Sequence, residues 1–415
     1  MRYTQRYSAA HVYLLSQAAG NFGRGLVYTV LAIYYITVVG LNPLQLILVG
    51  TVLEAAGFLF ELPTGVLADV FGRRVTIILG RLLIGVTFIA QGLTSRFEVV
   101  LLAEALRALG EACLNGATQA WLAGEVDDDQ IGRLFLRGAQ VRSAAYLVGV
   151  VASVALASWQ LNLPILIGGA FTLLLAVFLT FAMPEHRSAW HPASAGADLT
   201  QRWTQVRTTG LEGVRAVAAQ PMLRLLLGLA VCAGASSEGF DRLCEAHFLE
   251  SFALPPLGRL QPVAWFGIIE AGALLLGIVA VQVMRGLSAQ PLSRQLRFLR
   301  AIQLVRIGTV IGFGLAPTFG VALLLFWAAR VTSYVGTPFY ETWRTRTTPE
   351  RLRATVLSVI GQGDALGQVG GGPVIGAIAT TLTLRAAIVA TGLLLTPSLA
   401  LLTSAKRLSV QGKHR

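Results

Sequence analysis

The stretch ELPTGVLADVFGRR, residues 61–74, joins two long apolar runs and contains the residues that decide the fold. Gly65 and Gly72 permit a tight turn, because glycine adopts backbone conformations that other residues avoid. Between them, Asp69 can accept hydrogen bonds from N–H groups at the start of the next helix, or pair with an arginine of a neighbouring helix. The stretch therefore predicts a short turn between two membrane-spanning helices.

Two arginines, Arg73 and Arg74, end this stretch and would hold the turn on the inner side of a membrane. The composition supports a membrane location, because 54% of the 415 residues are hydrophobic and only 13% are charged. A soluble protein usually carries about 25% charged residues, so a water-exposed globular surface is excluded. The net charge of +12 does not indicate nucleic acid binding, because most basic residues lie in loops beside apolar spans.

Twelve apolar segments are each long enough to cross a membrane. We predict spans at residues 11–38, 44–68, 74–93, 97–123, 135–157, 163–182, 222–250, 262–284, 301–316, 318–342, 353–380 and 384–404. The predicted fold is an all-α membrane protein with twelve transmembrane helices in two pseudo-symmetric six-helix bundles. The predicted domains are an N-terminal bundle at 1–183, a cytoplasmic central loop at 184–220 and a C-terminal bundle at 221–415. A short helix at the membrane surface is expected within the loop, over residues 210–217.

The basic residues also predict the orientation of the spans. With the amino terminus in the cytoplasm, the inner loops hold 22 arginine and lysine residues and the outer loops hold 3. Cytoplasmic loops are enriched in these residues, so we expect a multi-pass protein of the cell membrane with both termini in the cytoplasm. Arg81 and Arg224 lie inside spans near predicted cytoplasmic ends, where their long side chains could reach water.

The turn at residues 61–74 resembles the hallmark of the major facilitator superfamily, G-x-x-x-D-x-x-G-R-R/K. The matching residues are Gly65, Asp69, Gly72, Arg73 and Arg74. The twelve-span layout extends the resemblance over the whole chain, and the resemblance implies a transporter whose turn latches the two halves in one conformation. One departure is Val70, where many members carry a basic residue. A turn that only sets the topology, with no gating role, is the alternative.

A second resemblance lies in the fourth span, where RALGE, residues 107–111, is similar to an arginine–glycine motif of the superfamily. The resemblance implies a role in proton coupling for Arg107. Glu104, Arg107 and Glu111 share one helix face, and an arginine between two carboxylates can keep one acid ionised while the other titrates. A set of structural ion pairs that holds the bundle together is the alternative.

Three acids, Glu238, Asp241 and Glu245, occupy one face of the seventh span beside Arg242. Carboxylates inside a membrane are costly unless they line water or pair with a base. A single arginine cannot neutralise three of them. We therefore predict a proton site on this face, with structural pairing to arginines as the alternative.

Polar stripes on the first and tenth spans predict the substrate cavity, because the resemblance implies that the first and fourth spans of each half line it. The stripe residues are Gln17, Asn21, Arg24, Tyr28, Arg330 and Tyr334. Asp364 of the eleventh span is included in the predicted cavity, and as a lone acid it could equally serve proton coupling or helix packing. Arg24 and Arg330 favour an anionic or zwitterionic substrate, whereas the acids of the seventh span favour a cation or a proton.

No phosphate loop of the GxxxxGK[ST] type, HExxH motif or CxxC pair occurs in the chain, so we expect no enzyme activity, cofactor or metal. The predicted function is proton-coupled secondary transport that exports amphipathic small molecules such as drugs. The alternative is an importer or exporter of one anionic or zwitterionic metabolite. The glycine–proline sequence that marks antiporters of the superfamily is absent from the fifth span, which weighs against export by antiport. The expected partners are a small-molecule substrate, protons and membrane lipid, without nucleic acid, and the chain is expected to be a monomer.

Replacing Asp69 by asparagine tests the gating role of the turn. The substitution removes the charge and keeps the side-chain volume, so we expect normal membrane insertion but slower transport. Transport rates measured at equal membrane abundance check this expectation. A variant that transports as fast as the wild type would leave the turn with a topological role only.

Overall fold

The computed structural model of the chain describes residues 8–184, 199–257, 262–284, 286–287, 290–348 and 350–411. Within these ranges, the side chains at 62, 69, 199–203, 205–207 and 409–411 lie outside the description. The side chain of Asp69 and residues 185–198 of the predicted central loop are therefore not placed.

The described residues form sixteen α-helices. These are α1 (Ala9–Tyr28), α2 (Leu31–Tyr34), α3 (Pro43–Phe71), α4 (Arg73–Leu93), α5 (Phe97–Leu114), α6 (Ala117–Glu125), α7 (Asp128–Ala157), α8 (Leu163–Ala182), α9 (Leu199–Ala219), α10 (Pro221–Ser251), α11 (Ala264–Met284), α12 (Leu292–Leu315), α13 (Phe319–Thr347), α14 (Arg353–Thr381), α15 (Leu384–Leu394) and α16 (Thr396–Gln411). A π-helical turn, Tyr35–Val39, follows α2. The twelve predicted spans appear in order among these helices, and the predicted all-α fold is confirmed.

Ten helical segments of the described residues are long and apolar enough to cross a membrane by length and composition. The two further predicted spans correspond to α5 and α14. Helix α5 carries four charged residues in eighteen, and α14 contains seven glycines, which contribute little hydropathy. The predicted span 97–123 is also interrupted, because Gly116 has a φ of +74° and separates α5 from α6.

The chain divides into two compact units. Unit 1 comprises Met1–Gly40, Val52–Trp203 and Pro256–Gly267, and unit 2 comprises Leu41–Thr51, Thr204–Pro255 and Ile268–Arg415. In unit 1, α1 packs on α7 and α8, and α4 packs on α5 and α8. In unit 2, α10 packs on α14 and α15, and α12 packs on α13 and α15. The first helix of each half thus contacts the fifth and sixth, and the third contacts the fourth and sixth, as a pseudo-symmetric repeat requires.

Glycines set the spacing of several of these helix pairs. The reciprocal positions are Gly25 and Gly149 for α1–α7, Gly80 and Gly110 for α4–α5, Gly85 and Gly169 for α4–α8, and Gly234 and Gly367 for α10–α14. A Cβ at any of these positions would lie only 2.0–3.0 Å from a backbone carbonyl oxygen of the facing helix. Small residues of this kind let helix backbones approach closely inside a membrane, where packing rather than hydrophobic burial drives association.

Helix α9 is longer than the short surface helix predicted over residues 210–217. It packs against unit 2 through Val217, which is buried in the same core as Leu223 and Val356. Gly213 faces Thr355, whose methyl group would lie 2.5 Å from an added Cβ. The carboxyl-terminal part of the central loop is therefore a docked helix of unit 2.

Candidate functional site

The turn between α3 and α4 is held by backbone carbonyls. Gly72 has a φ of +93° and separates Phe71, the last residue of α3, from Arg73, the first of α4. The Nη1 of Arg73 donates to the carbonyl oxygen of Ala120 at 2.5 Å. Arg74 donates to the carbonyl of Thr180, in the last turn of α8, where backbone acceptors have no partner inside the helix. Both arginines therefore fix α4 within unit 1.

The predicted glycine Gly65 lies inside α3, and an added Cβ there would meet nothing within 4 Å. It is helical rather than part of the turn, so the turn depends on Gly72 alone. Asp69 lies in the last turns of α3, with its side chain outside the description.

The centre of unit 1 is an ion pair between two residues of α5. Arg107 donates to Glu104 through Nε at 2.9 Å and through Nη2 at 2.5 Å. Both residues are buried, with 5% and 1% of their surface exposed. The Nη1 of Arg107 donates to the hydroxyl of Tyr28 at 2.8 Å and so ties α5 to α1.

Glu104 accepts further hydrogen bonds from two other elements. The hydroxyl of Tyr35 donates to its Oε1 at 3.2 Å, and the amide of Gln91 donates to the same atom at 2.9 Å. The π-helical turn, α4 and α5 therefore meet at this carboxylate. Both carboxylate oxygens of Glu104 thus accept hydrogen bonds. A buried ionised acid needs these bonds, because in an apolar environment an oxygen without a donor costs free energy.

Glu111 lies between two arginines. Arg24 of α1 forms an ion pair with it, and the Nη1 of Arg107 lies 3.9 Å from its Oε1. The sequence predicts Arg107 between two acids, and the structure adds Arg24 as a second base beside Glu111. We call Arg24, Arg81, Glu104, Arg107 and Glu111 the α1–α4–α5 cluster.

Arg81 of α4 is the member of this cluster that sequence reasoning missed. The expectation that it reaches water is wrong, because its residue surface is only 8% exposed and its Nε has no hydrogen-bond partner. Among the described residues it forms no ion pair within 4 Å. Its guanidinium lies against Gly20, where a Cβ would be 2.7 Å from Nη1, and within electrostatic range of Arg24 and Glu111.

A signal for this burial was present in the sequence. Arg81 follows Arg74 by seven residues on one helix, which places it about 10 Å further along the axis. At that distance from the helix end, the side chain of Arg81 is too short to extend back to water. The cluster thus brings three arginines together with two carboxylates.

In unit 2 the three acids of α10 have three different environments. Glu238 is buried and accepts from the Nε of Arg242 at 3.1 Å. Asp241 forms an ion pair with Arg330 of α13 at 2.5 Å. The sequence of α10 shows only Arg242 beside these acids, whereas the structure adds Arg330 of α13 as a second partner.

Glu245 has no ion pair with any described residue. Its Oε2 accepts a hydrogen bond from the thiol of Cys244 at 2.9 Å. Arg330 lies within electrostatic range but is bound to Asp241, and its guanidinium carbon lies 5.2 Å from the ring centres of both Phe240 and Phe326. We call Glu238, Asp241, Arg242, Glu245 and Arg330 the α10–α13 cluster.

The other predicted cavity residues make mostly local contacts. Asn21 donates to the carbonyl of Gln17 at 2.8 Å. The ring of Tyr334 packs against Gly277 of α11, where a Cβ would lie 2.3 Å away. Asp364 accepts from the amide of Gln368 at 2.9 Å and has no ion pair among the described residues.

Comparison with known proteins identifies the family. Residues 13–340, more than three quarters of the chain, match the model of the Major Facilitator Superfamily. The chain belongs to this superfamily. The superfamily consists of multi-pass membrane transporters rather than enzymes. An uncharacterized MFS-type transporter of Bacillus subtilis (strain 168), YxaM, is 27% identical over 137 residues, and the match spans 33% of this chain and about a third (34%) of that relative.

Solved structures of several transporters share the fold over nearly the whole chain. A bacterial homologue of the human lysosomal transporter Spinster, inward-facing and unoccupied, is similar with a TM-score of 0.74, at 16% identity and 97% coverage of both chains. The nucleoside transporter NupG gives 0.75 at 13% identity, covering 96% of this chain and 99% of its own. A peptide transporter, POT, in complex with sulfate gives 0.72 at 16% identity, covering 97% and 95%. At these identities the likeness shows the fold alone.

The Glu104→Gln variant tests whether the α1–α4–α5 cluster of this superfamily member depends on one carboxylate. The substitution removes the carboxylate that binds Arg107 through two hydrogen bonds and leaves only Glu111, at 3.9 Å, as its counter-charge, so we expect a loss of about 3–5 kcal/mol in the free energy of unfolding. The matched control is Glu98→Gln on the same helix, where the acid is 75% exposed and 3.8 Å from Arg96; there we expect a change within about 0.5 kcal/mol. Thermal unfolding in detergent measures both, and equal melting temperatures would contradict the assignment.

Proposed function

We propose that the chain is a proton-coupled secondary active transporter that works by alternating access and moves a small organic solute carrying an anionic group. The single observation that carries the anionic substrate is the buried Arg81, which has no ion-pair partner among the described residues. A cation enclosed in this way is costly unless a counter-charge can reach it. A carboxylate or phosphate group of a substrate would supply that charge.

The neighbours of Arg81 support this substrate class. Arg24 is paired with Glu111, and Arg107 is paired with Glu104, so both acids of the cluster are already engaged by other bases. The cluster therefore has an excess of one positive charge. Arginine is well suited to bind carboxylate and phosphate, because its planar guanidinium offers paired donors.

Glu245 supports the proton coupling. Glu238 and Asp241 each hold an arginine, so protonating either would break an ion pair. Protonating Glu245 breaks no ion pair, because its bound donor is a thiol. The other predicted members of the coupling set, Arg107 and Glu111, would then link proton uptake to the substrate cluster of unit 1.

Efflux of amphipathic molecules such as drugs is the second candidate. In unit 2, the side chain of Asp241 is 46% exposed and Tyr334 is 37% exposed, and the two lie within electrostatic range of each other. A carboxylate beside an aromatic face can bind an organic cation. This candidate predicts transport of cationic dyes rather than anionic solutes.

The arrangement of the chain in the membrane forms part of the proposal. It has six-helix bundles at residues 1–183 and 221–415, a cytoplasmic central loop at 184–220, and both termini in the cytoplasm of a cell-membrane monomer. The turn at residues 61–74 serves as a latch through Asp69. The excess of basic residues in the predicted inner loops supports this orientation.

The Glu245→Gln variant tests the coupling. We expect the rate of transport driven by an imposed pH gradient in proteoliposomes to fall at least tenfold. Substrate exchange without a gradient should survive, because exchange needs no net proton movement. The matched control is Glu250→Gln, an exposed acid on the same helix. If Glu245→Gln retains gradient-driven transport, the coupling site lies at Glu238, Asp241 or Glu111 instead.

Arg81→Gln and Arg81→Lys test the substrate class. A panel of organic carboxylates, amino acids, nucleosides and cationic dyes is assayed in proteoliposomes with a pH gradient. For anionic solutes we expect Arg81→Gln to raise KM more than tenfold, since loss of a buried charge pair typically costs about 2–5 kcal/mol, and Arg81→Lys to retain part of the affinity.

A structural role for Arg81 predicts a different outcome. If Arg81 binds substrate and has no partner in the protein, its replacement should leave the melting temperature unchanged or raise it. If Arg81 is a structural ion-pair partner, its replacement should lower the melting temperature. Arg96→Gln, at an exposed loop position, is the control. Equal loss of transport for anionic, neutral and cationic solutes, together with a lowered melting temperature, would overturn the substrate assignment.

A further inference from the structure

Two open grooves lie side by side on unit 2, one on each side of α16. The groove between α12 and α16 has a volume of about 390 Å³, and the groove between α10 and α16 has a volume of about 430 Å³. Ser404 and Arg407 line both. The two grooves therefore meet along one face of α16.

Three arginines converge on this face. Arg300 lines the first groove, Arg224 lines the second, and Arg407 lies between them. All three are exposed, and none forms an ion pair with a described residue. No acidic residue lines either groove. The face thus carries three positive charges and a hydroxyl donor without an internal counter-charge.

The remaining lining is apolar. Leu304 and Leu399 lie in the first groove, and Leu225 and Leu408 lie in the second. Leu304 is 61% exposed. A surface that combines clustered guanidinium groups with open aliphatic channels matches a molecule that has an anionic head and apolar chains.

Two of the arginines lie near helix ends at one end of unit 2, and Arg300, the ninth residue of α12, lines the same groove as Arg407. Arg224 is the fourth residue of α10, and Arg407 lies four residues before the end of α16. The distribution of basic residues predicts that this end faces the cytoplasm. The cytoplasmic leaflet carries the anionic lipids of a membrane, and basic pockets between helices on that side bind their headgroups.

We propose that the face of α16 between Arg224, Arg300 and Arg407 binds the phosphate headgroup of an anionic phospholipid, with its acyl chains along the leucines of the grooves. Arg407 contacts the phosphate from the centre, and Arg224 and Arg300 approach it from α10 and α12. Ser404 donates a further hydrogen bond. The site shares no residue with the two charged clusters, and it neither requires nor excludes any particular transported substrate.

Native mass spectrometry of the full chain in detergent tests the proposal, with phosphatidylglycerol as the anionic probe and phosphatidylcholine, whose headgroup is zwitterionic and has no net charge, as the comparison. We expect phosphatidylglycerol to bind at least tenfold more tightly than phosphatidylcholine. The triple variant Arg224→Gln, Arg300→Gln, Arg407→Gln should lose this preference, since each surface arginine contributes about fivefold in affinity for anionic lipid. The same three positions changed to lysine should keep most of it, because the charge is retained.

Arg346→Gln is the matched control, because Arg346 is exposed in the last turn of α13 and lines neither groove; it should bind phosphatidylglycerol as the wild type does. Thermal unfolding of every variant shows that the fold is kept. The proposal is overturned if the triple glutamine variant binds phosphatidylglycerol as tightly as the wild type, or if both lipids bind equally. Displacement of the lipid by millimolar inorganic phosphate would also overturn it, since the site would then accept a free anion.

Discussion

The interior of unit 1 depends on the carboxylate of Glu104. This acid is almost completely buried and is bound by Arg107 of its own helix, by Gln91 of α4 and by Tyr35 of the π-helical turn. In a membrane, water cannot supply the missing hydrogen bonds of a buried charge. Three elements must therefore keep a fixed position around one side chain. The same constraint holds Arg107 against Tyr28, and so fixes the place of α1 beside α5.

The two halves of the chain repeat the helix packing but not the charges. In each half one ion pair joins the first helix to the fourth. In unit 1 the base lies on the first helix, as Arg24 with Glu111, whereas in unit 2 the acid does, as Asp241 with Arg330. The repeat has therefore preserved backbone geometry while the polarity of the connection has reversed.

The fold was largely predictable, because each span is an apolar run of about 20 residues and the periodicity of a helix places polar residues on faces. The break at Gly116 was not predicted, since a positive φ in one glycine leaves no trace in hydropathy. The pairing of charges was predicted within α5, where Glu104 and Arg107 are one turn apart. Pairing between helices, as for Asp241 and Arg330, depends on how α10 and α13 are rotated against each other, which no pattern within one helix contains. The burial of Arg81, in contrast, was missed although its position seven residues after Arg74 on the same helix indicated it.

The glycine contacts have a mechanical consequence. Two helices whose backbones are in contact cannot bend independently of each other. The pairs α1 with α7 and α10 with α14 therefore resist bending more than a single helix does. Proline kinks give a helix its bending points. Helices α3 and α13 each carry one internal proline, Pro63 and Pro338, and neither helix belongs to one of the reciprocal glycine pairs. Bending of α3 and α13 is therefore less restrained than bending of α14, whose internal proline, Pro373, lies in a helix held against α10 by such contacts.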